Sequence, residues 1–209
     1  ARGRRLTTPS GRDTRPTSDR VREAMFTSLE AMSGGLARLA VLDLYAGSGA
    51  IGLEALSRGA RRVLLVENDR RAVRAIQRNL AVLGDLEGAR LQQASVGRLT
   101  KEPPPDRQPF DVVILDPPYA LPQAAVGAVL TDLAANGWLA EDAIVVVERA
   151  TRDGDFVWPG GFEAEKERRY GDTTVWYGRW AAETRDRAAE TRDRAANRER
   201  GGPDSDERT

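Results

Sequence analysis

The chain has 209 residues, 40% of them apolar, which fits one α/β domain with appendages and excludes an intrinsically disordered polymer. It contains no cysteine and no histidine, which excludes disulfides, the usual zinc sites and any thiol or imidazole mechanism; chemistry falls to carboxylates, hydroxyls, backbone groups or a cofactor, and no metal is expected. Lys plus Arg and Asp plus Glu balance at 32 each, which excludes a uniformly basic protein.

No apolar run approaches bilayer length and no signal-peptide pattern opens the chain, so it is expected to be cytoplasmic, monomeric and without a membrane partner. Charge is unevenly spread. Arg2, Arg4, Arg5, Arg12, Arg15, Arg20 and Arg22 stand against Asp13 and Asp19, a local net of +5 of the kind that grips phosphates. All bases except Lys101 and Lys166 are arginine; a GC-rich genome accounts for that bias, and arginine's fork suits phosphate as well.

Residues 1–16 read as an arm or short strand pair. In "PTSDRVREAMFTSLEAMSGG" cap candidates Thr17, Ser18 and Asp19 precede a helix with Val21, Met25, Leu29 and Met32 on one face, stopped by Gly34-Gly35. The chain then alternates. Strands are predicted at 39–45, 63–67, 89–94, 110–115 and 143–149, with helices at 49–58, 69–82 and 122–135 and a loop over 97–109. Continuous apolar strands separated by helices predict a parallel sheet covered on both faces. Residues 163–180 alternate on either side of Gly171-Asp172, a terminal hairpin. The repeated "AETRDRA" at 182–188 and 189–195 has only alanine as apolar residue and cannot bury a core.

"VLDLYAGSGAIG" places Gly47-Ser48-Gly49-Ala50-Ile51-Gly52, a G-x-G-x-x-G, between a strand and a helix. Glycines permit the tight turn and let a ligand approach the helix N-terminus. Glu67, twenty residues after Gly47, ends the second strand where a carboxylate can accept both ribose hydroxyls of a nucleoside. The pattern suits NAD and S-adenosylmethionine alike, and two details favour the latter. Asp43, just before the loop, would repel a pyrophosphate and attract a methionine ammonium group, and the proton-transfer residues of a dehydrogenase are scarce. Tyr45, Ala46 and Ser48 complete the candidate loop. Asn68 either contacts the adenine or caps the helix starting at Asp69, and Ser95 follows the third strand, where an adenine amine contact is expected.

"FDVVILDPPY" drives a buried strand up to Asp116 and follows it with Pro117, Pro118 and Tyr119. Prolines donate no N–H, so this turn offers only acceptors beside an aromatic face. Such a turn suits an exocyclic amine: Asp116 and the Pro117 carbonyl hold its two hydrogens, the lone pair turns toward an electrophile, and Tyr119 stacks a base taken out of its helix. The residues therefore point to amine methylation of a base.

With "TRPTSDRVREAMF", "VLDLYAGSGAIGLEALSRGA" and "VEND", that segment resembles the bacterial RsmD-type methyltransferases over most of residues 2–180. "TRPTSDRVRE" is the most specific part, since DPPY also occurs in DNA amine methyltransferases. The resemblance implies a class I SAM-dependent, Rossmann-like α/β fold, with a mostly parallel seven-stranded sheet and a C-terminal antiparallel hairpin. It implies N2-methylation of one guanine in 16S ribosomal RNA on a nearly assembled 30S subunit. It assigns Asp43, Gly47, Gly49 and Glu67 to S-adenosylmethionine and Asp116 to Tyr119 to the guanine. Thr17 falls near the cofactor's methionine end and Arg15 and Arg20 near the RNA, with Arg4 and Arg5 of the basic arm as further RNA candidates. The family often carries more sequence ahead of "RGRRL", so part of an N-terminal strand is expected to be missing.

The expected organisation is an arm and helix over 1–36, a SAM-binding domain over 37–180 and a charged tail over 181–209, helical or disordered. The competing readings are a DNA adenine or cytosine amine methyltransferase, disfavoured because no target-recognition domain is evident in the remaining length, and a non-catalytic RNA-binding assembly factor. A nicotinamide oxidoreductase is more remote.

Overall fold

A computed structural model describes residues 19–83 and 87–181. Helix α1 (Asp19–Ser33) leads into strand β1 (Ala40–Leu44), helix α2 (Ala50–Ser57), strand β2 (Arg62–Glu67), helix α3 (Arg70–Leu83) and strand β3 (Ala89–Gln93). A single helical turn, α4 (Val96–Leu99), precedes β4 (Phe110–Leu115), α5 (Gln123–Ala135) and β5 (Leu139–Ala150). A 3₁₀ turn at Thr151–Asp153 leads to β6 (Phe162–Tyr170) and β7 (Thr173–Trp180). The elements expected within the described residues are present, while the arm or strand pair expected over 1–16 lies outside them. The loop predicted over 97–109 opens with the remaining residues of α4, and β5 begins four residues earlier than expected, across a register shift against β4.

The seven strands pair in the order β3-β2-β1-β4-β5-β7-β6. All neighbours are parallel except β7, which runs antiparallel to both β5 and β6. The step from β1 to β4 is the point where strand order reverses, and in such sheets ligands bind beyond the carboxyl ends of those strands. The β6–β7 hairpin is closed by Gly171-Asp172, with Gly171 at φ +60°.

Away from the register shift at Phe110–Val112, side chains of the central strands alternate across the sheet, as the two-residue period of a strand requires. Leu42, Leu44, Val113, Leu115, Val145 and Val147 pack with α5 on one face. Val41, Val112, Ile114, Ile144 and Val146 pack on the other with Met25, Phe26 and Leu29 of α1, all three fully buried. The helix of the N-terminal segment therefore shares the core of the sheet. No helix among the described residues is long and apolar enough to cross a membrane.

Candidate active site

Three strands deliver carboxylates to the same end of the sheet. Asp43 lies near the end of β1, Glu67 ends β2 and Asp116 follows β4. Asp43 is in register with Leu65 of β2 and Ile114 of β4, so the three acids stand on neighbouring strands at the reversal point.

The glycine loop joins β1 to α2 and is tied down by its own backbone and by neighbours. Ala46 N–H donates to Val66 O at 3.0 Å and Gly49 N–H to Ala46 O at 2.7 Å. Gly47 at φ +57° and Gly49 at φ +78° adopt the left-handed conformation that glycine tolerates. Tyr45 shares it at φ +62°, a conformation uncommon for a residue with a side chain and typical of ligand-binding turns. Above Gly47 the space is open: an added Cβ would meet only Tyr45 O, at 3.9 Å. Gly52 instead serves packing. A Cβ there would come within 2.8 Å of Leu65, 2.9 Å of Val63 and 3.0 Å of the Asp43 carboxylate.

Asp43 is 1% exposed and its Oδ2 accepts the Gly52 N–H at 2.8 Å. Burial pushes its pKa up to about 7; the Gly52 amide opposes that shift, and the negative charges of Asp116 and Glu67 add to it. The site is thus an anionic crevice that favours a cation. Glu67 is held by three amides: Oε2 accepts Gly47 N–H at 2.8 Å, and Oε1 accepts Asn68 N–H at 2.7 Å and Asp69 N–H at 2.8 Å. A carboxylate offers about four lone-pair positions, so Oε2 keeps capacity for a ligand hydroxyl.

Of the two readings of Asn68, the cap is overturned. Helix α3 starts at Arg70, and Asp69 caps it, its Oδ1 accepting Arg71 N–H and Ala72 N–H at 2.8 and 2.9 Å. The Ala72 amide bond leads the causes that lower the Asp69 pKa. Asn68 is exposed beside Glu67. Ser95, exposed, begins the turn of α4 just after β3, and Ala94 N–H donates to Glu67 O at 3.0 Å, which brings that strand end to the same crevice.

On the β4 side, Asp116 and Pro117 are half-buried and buried, and Tyr119 is 38% exposed. The Pro118 carbonyl accepts Leu121 N–H at 2.8 Å and closes the turn. Among the described residues the Pro117 carbonyl has no hydrogen-bond donor, so it remains an acceptor beside Asp116. Arg20 is exposed at the start of α1, where it lines a recess of about 400 Å³ with Val21, Tyr170 and Gly171. Thr17, Arg4, Arg5 and Arg15 lie outside the described residues, as does the repeat tail from residue 182.

Three contributors were not foreseen. Asn79 of α3 is buried and its Nδ2 donates to Ser48 O at 3.0 Å, which braces the glycine loop from behind; a polar residue beside the apolar face of that helix is the only trace it leaves in the sequence. Arg149 is the last charged residue of β5, one position before its end, with its side chain 4% exposed, and its Nη2 reaches Leu121 O and the Asp153 carboxylate, both at 2.8 Å. Its signal is a charge ending an apolar strand, the same pattern that marks Glu67 and Asp116. Arg152 lies with its guanidinium carbon 5.8 Å from the centre of the Tyr119 ring.

A seven-stranded sheet of this order, with a glycine loop, an acid ending the second strand and DPPY ending the fourth, defines a Rossmann-like methyltransferase. The family described as Conserved hypothetical protein 95 matches residues 1–179. Ribosomal RNA small subunit methyltransferase D of Escherichia coli strain K12 is 34% identical over 167 residues, covering 80% of each chain. Its namesake from Haemophilus influenzae is 35% identical over 173 residues, covering 81% of this chain and 85% of the relative. The solved structure of Escherichia coli yhhF superposes with a TM-score of 0.74 at 31% identity, over 87% of this chain and 94% of that one. The chain belongs to this family, that of the small-subunit ribosomal RNA methyltransferases D.

Proposed function

We propose that the protein transfers a methyl group from S-adenosylmethionine to the N2 amine of a guanine in 16S ribosomal RNA, presented on a nearly assembled 30S subunit. The observation that carries this reading is the convergence of the Gly47 loop, Glu67 and the Asp116–Tyr119 turn on the β1–β4 reversal, around a crevice of three carboxylates. The names of the relatives supply the substrate class.

The residues present fit the cofactor. Glu67 Oε2 has room for a ribose hydroxyl, the open space above Gly47 admits a ligand against backbone, and Asn68 and Ser95 flank the adenine end. Asp43, buried and bonded to Gly52, acts on the ammonium group through its charge. When bound, the cofactor supplies a sulfonium-activated methyl group. The chain's task is then positioning. Asp116 and the Pro117 carbonyl each accept one hydrogen of the amine, whose nitrogen lone pair is otherwise conjugated into the base, and Tyr119 holds the base plane. After transfer the nitrogen carries a surplus proton, and the Asp116 carboxylate is the adjacent acceptor.

The test offers labelled S-adenosylmethionine with 30S subunits lacking the modification, naked 16S RNA and duplex DNA, and maps the modified base. Label on a guanine N2 in the subunit is expected; label only on DNA, or none, sinks the proposal.

A further inference from the structure

Beside the reacting turn lies a second recess of about 200 Å³, lined by Tyr119, Ala150, Thr151, Arg152 and Asp172. Three separate segments build it: the turn after β4, the 3₁₀ turn after β5, and the tip of the β6–β7 hairpin. These walls are fastened together. Thr151 N–H donates to Asp172 O at 2.8 Å, and the Thr151 hydroxyl meets Gly171 O at 3.1 Å and the Thr174 hydroxyl at 3.0 Å. Arg149 donates to Leu121 O at the far end of the Tyr119 turn and forms an ion pair with Asp153 of the 3₁₀ turn.

Neither Asp116 nor Pro117 lines this recess, which sets it beside the amine acceptors and not at them. Its lining still has the chemistry of a nucleotide site: an exposed aromatic face with a guanidinium over that face. A bare phosphate site would need no aromatic face in its wall. Extruding a target base leaves its neighbours without a stacking partner, and a protein that supplies one recovers that energy.

We propose that this recess receives the nucleotide next to the methylated guanine, with its base between Tyr119 and Arg152. The assignment rests on the RNA methylation proposed above. A base sandwiched between two planes needs about 7 Å, twice the roughly 3.4 Å rise between stacked bases. The guanidinium carbon stands 5.8 Å from the Tyr119 ring centre, so the exposed Arg152 side chain moves outward by about an ångström as the base enters. Tyr119 thus works with both faces, one toward the reacting base and one toward its neighbour. Arg20, in the recess next to Gly171, extends the positive surface along the same hairpin tip.

The test compares Arg152→Ala and Arg152→Lys with the unaltered protein, using 30S subunits lacking the modification as substrate and calorimetry for S-adenosylmethionine binding. Arg152→Ala is expected to raise KM for the subunit about tenfold, while the cofactor dissociation constant stays within twofold. Arg152→Lys keeps the charge and its salt dependence but not the plane, and recovers only part of the loss. An Arg152→Ala protein with unaltered KM overturns the assignment, and so does full recovery by Arg152→Lys, which would leave a charge contact and no base. If the unaltered protein modifies neither subunit nor RNA, the proposed function fails and this recess loses its assignment with it; transfer by the unaltered protein with an insensitive Arg152 condemns the recess alone.

Discussion

The two halves of the crevice are built on different plans. On the β1–β2 side the polar groups are already engaged with the protein's own backbone: Glu67 by three amides, Asp43 by Gly52, Ser48 O by Asn79. On the β4–β5 side the turn leaves the Pro117 carbonyl open and Tyr119 exposed, and the walls come from segments joined through Arg149 and Thr151. The first half is preorganised for a small ligand of fixed shape. The second presents acceptors and a ring to a large partner that brings its own structure. Such a division lets one scaffold retain its cofactor chemistry while loops at the strand ends set the substrate.

Substitutions can break this division of labour. The largest effect is expected from Asp116→Ala, which should lower methyl transfer by about a thousandfold and leave cofactor affinity within a few-fold, measured by label transfer and calorimetry. Full activity in that variant would remove Asp116 from the mechanism. Gly52→Ala should act on the other half. Its Cβ would collide with Leu65, Val63 and Asp43, so a stability loss of about 1–3 kcal/mol in denaturant unfolding and a weaker cofactor complex should appear together.

Asp43→Asn tests the charge at the junction of the two halves. The folded pKa of about 7 lies above the ordinary 3.8, so the folded state holds this proton more tightly than the unfolded chain. Stability contributed by the protonated form is therefore lost as pH rises from about 4 to about 7, and the loss is complete above that, on the order of a few kcal/mol. The Asn variant should show a flatter stability profile across that window. It should also lack the gain in cofactor affinity expected of the unaltered protein as pH passes upward through 7. An unchanged profile in both measurements would mean that Asp43 does not titrate there. The smallest effect is expected from Asn79→Ala, which removes one hydrogen bond to Ser48 O and should cost about 1 kcal/mol and several-fold in cofactor affinity, with KM for the subunit unaffected.

Legibility in the sequence followed the same line. The glycine loop, Glu67 and the Asp116 turn could be read because each is a short contiguous stretch whose chemistry depends on local backbone. Of the two roles left open for Asn68 the cap falls to its neighbour, because Asn68 and Asp69 both suit a cap and only the path of the chain decides between them. Arg149, Arg152 and Asn79 could not be assigned, since their partners lie 28, 33 and 31 positions away.

Sequence alone determined the parallel part of the sheet, the acids at its strand ends and the acceptor-only turn, because these follow from apolar periodicity, residue identity and proline's missing N–H. Tertiary structure alone decided that Asp43 would be buried with its pKa raised, that Glu67 would be shared among three amides, and that Tyr119 would face Arg152. Those outcomes depend on which distant segments pack at the end of the sheet, and burial and field strength exist only once they have packed.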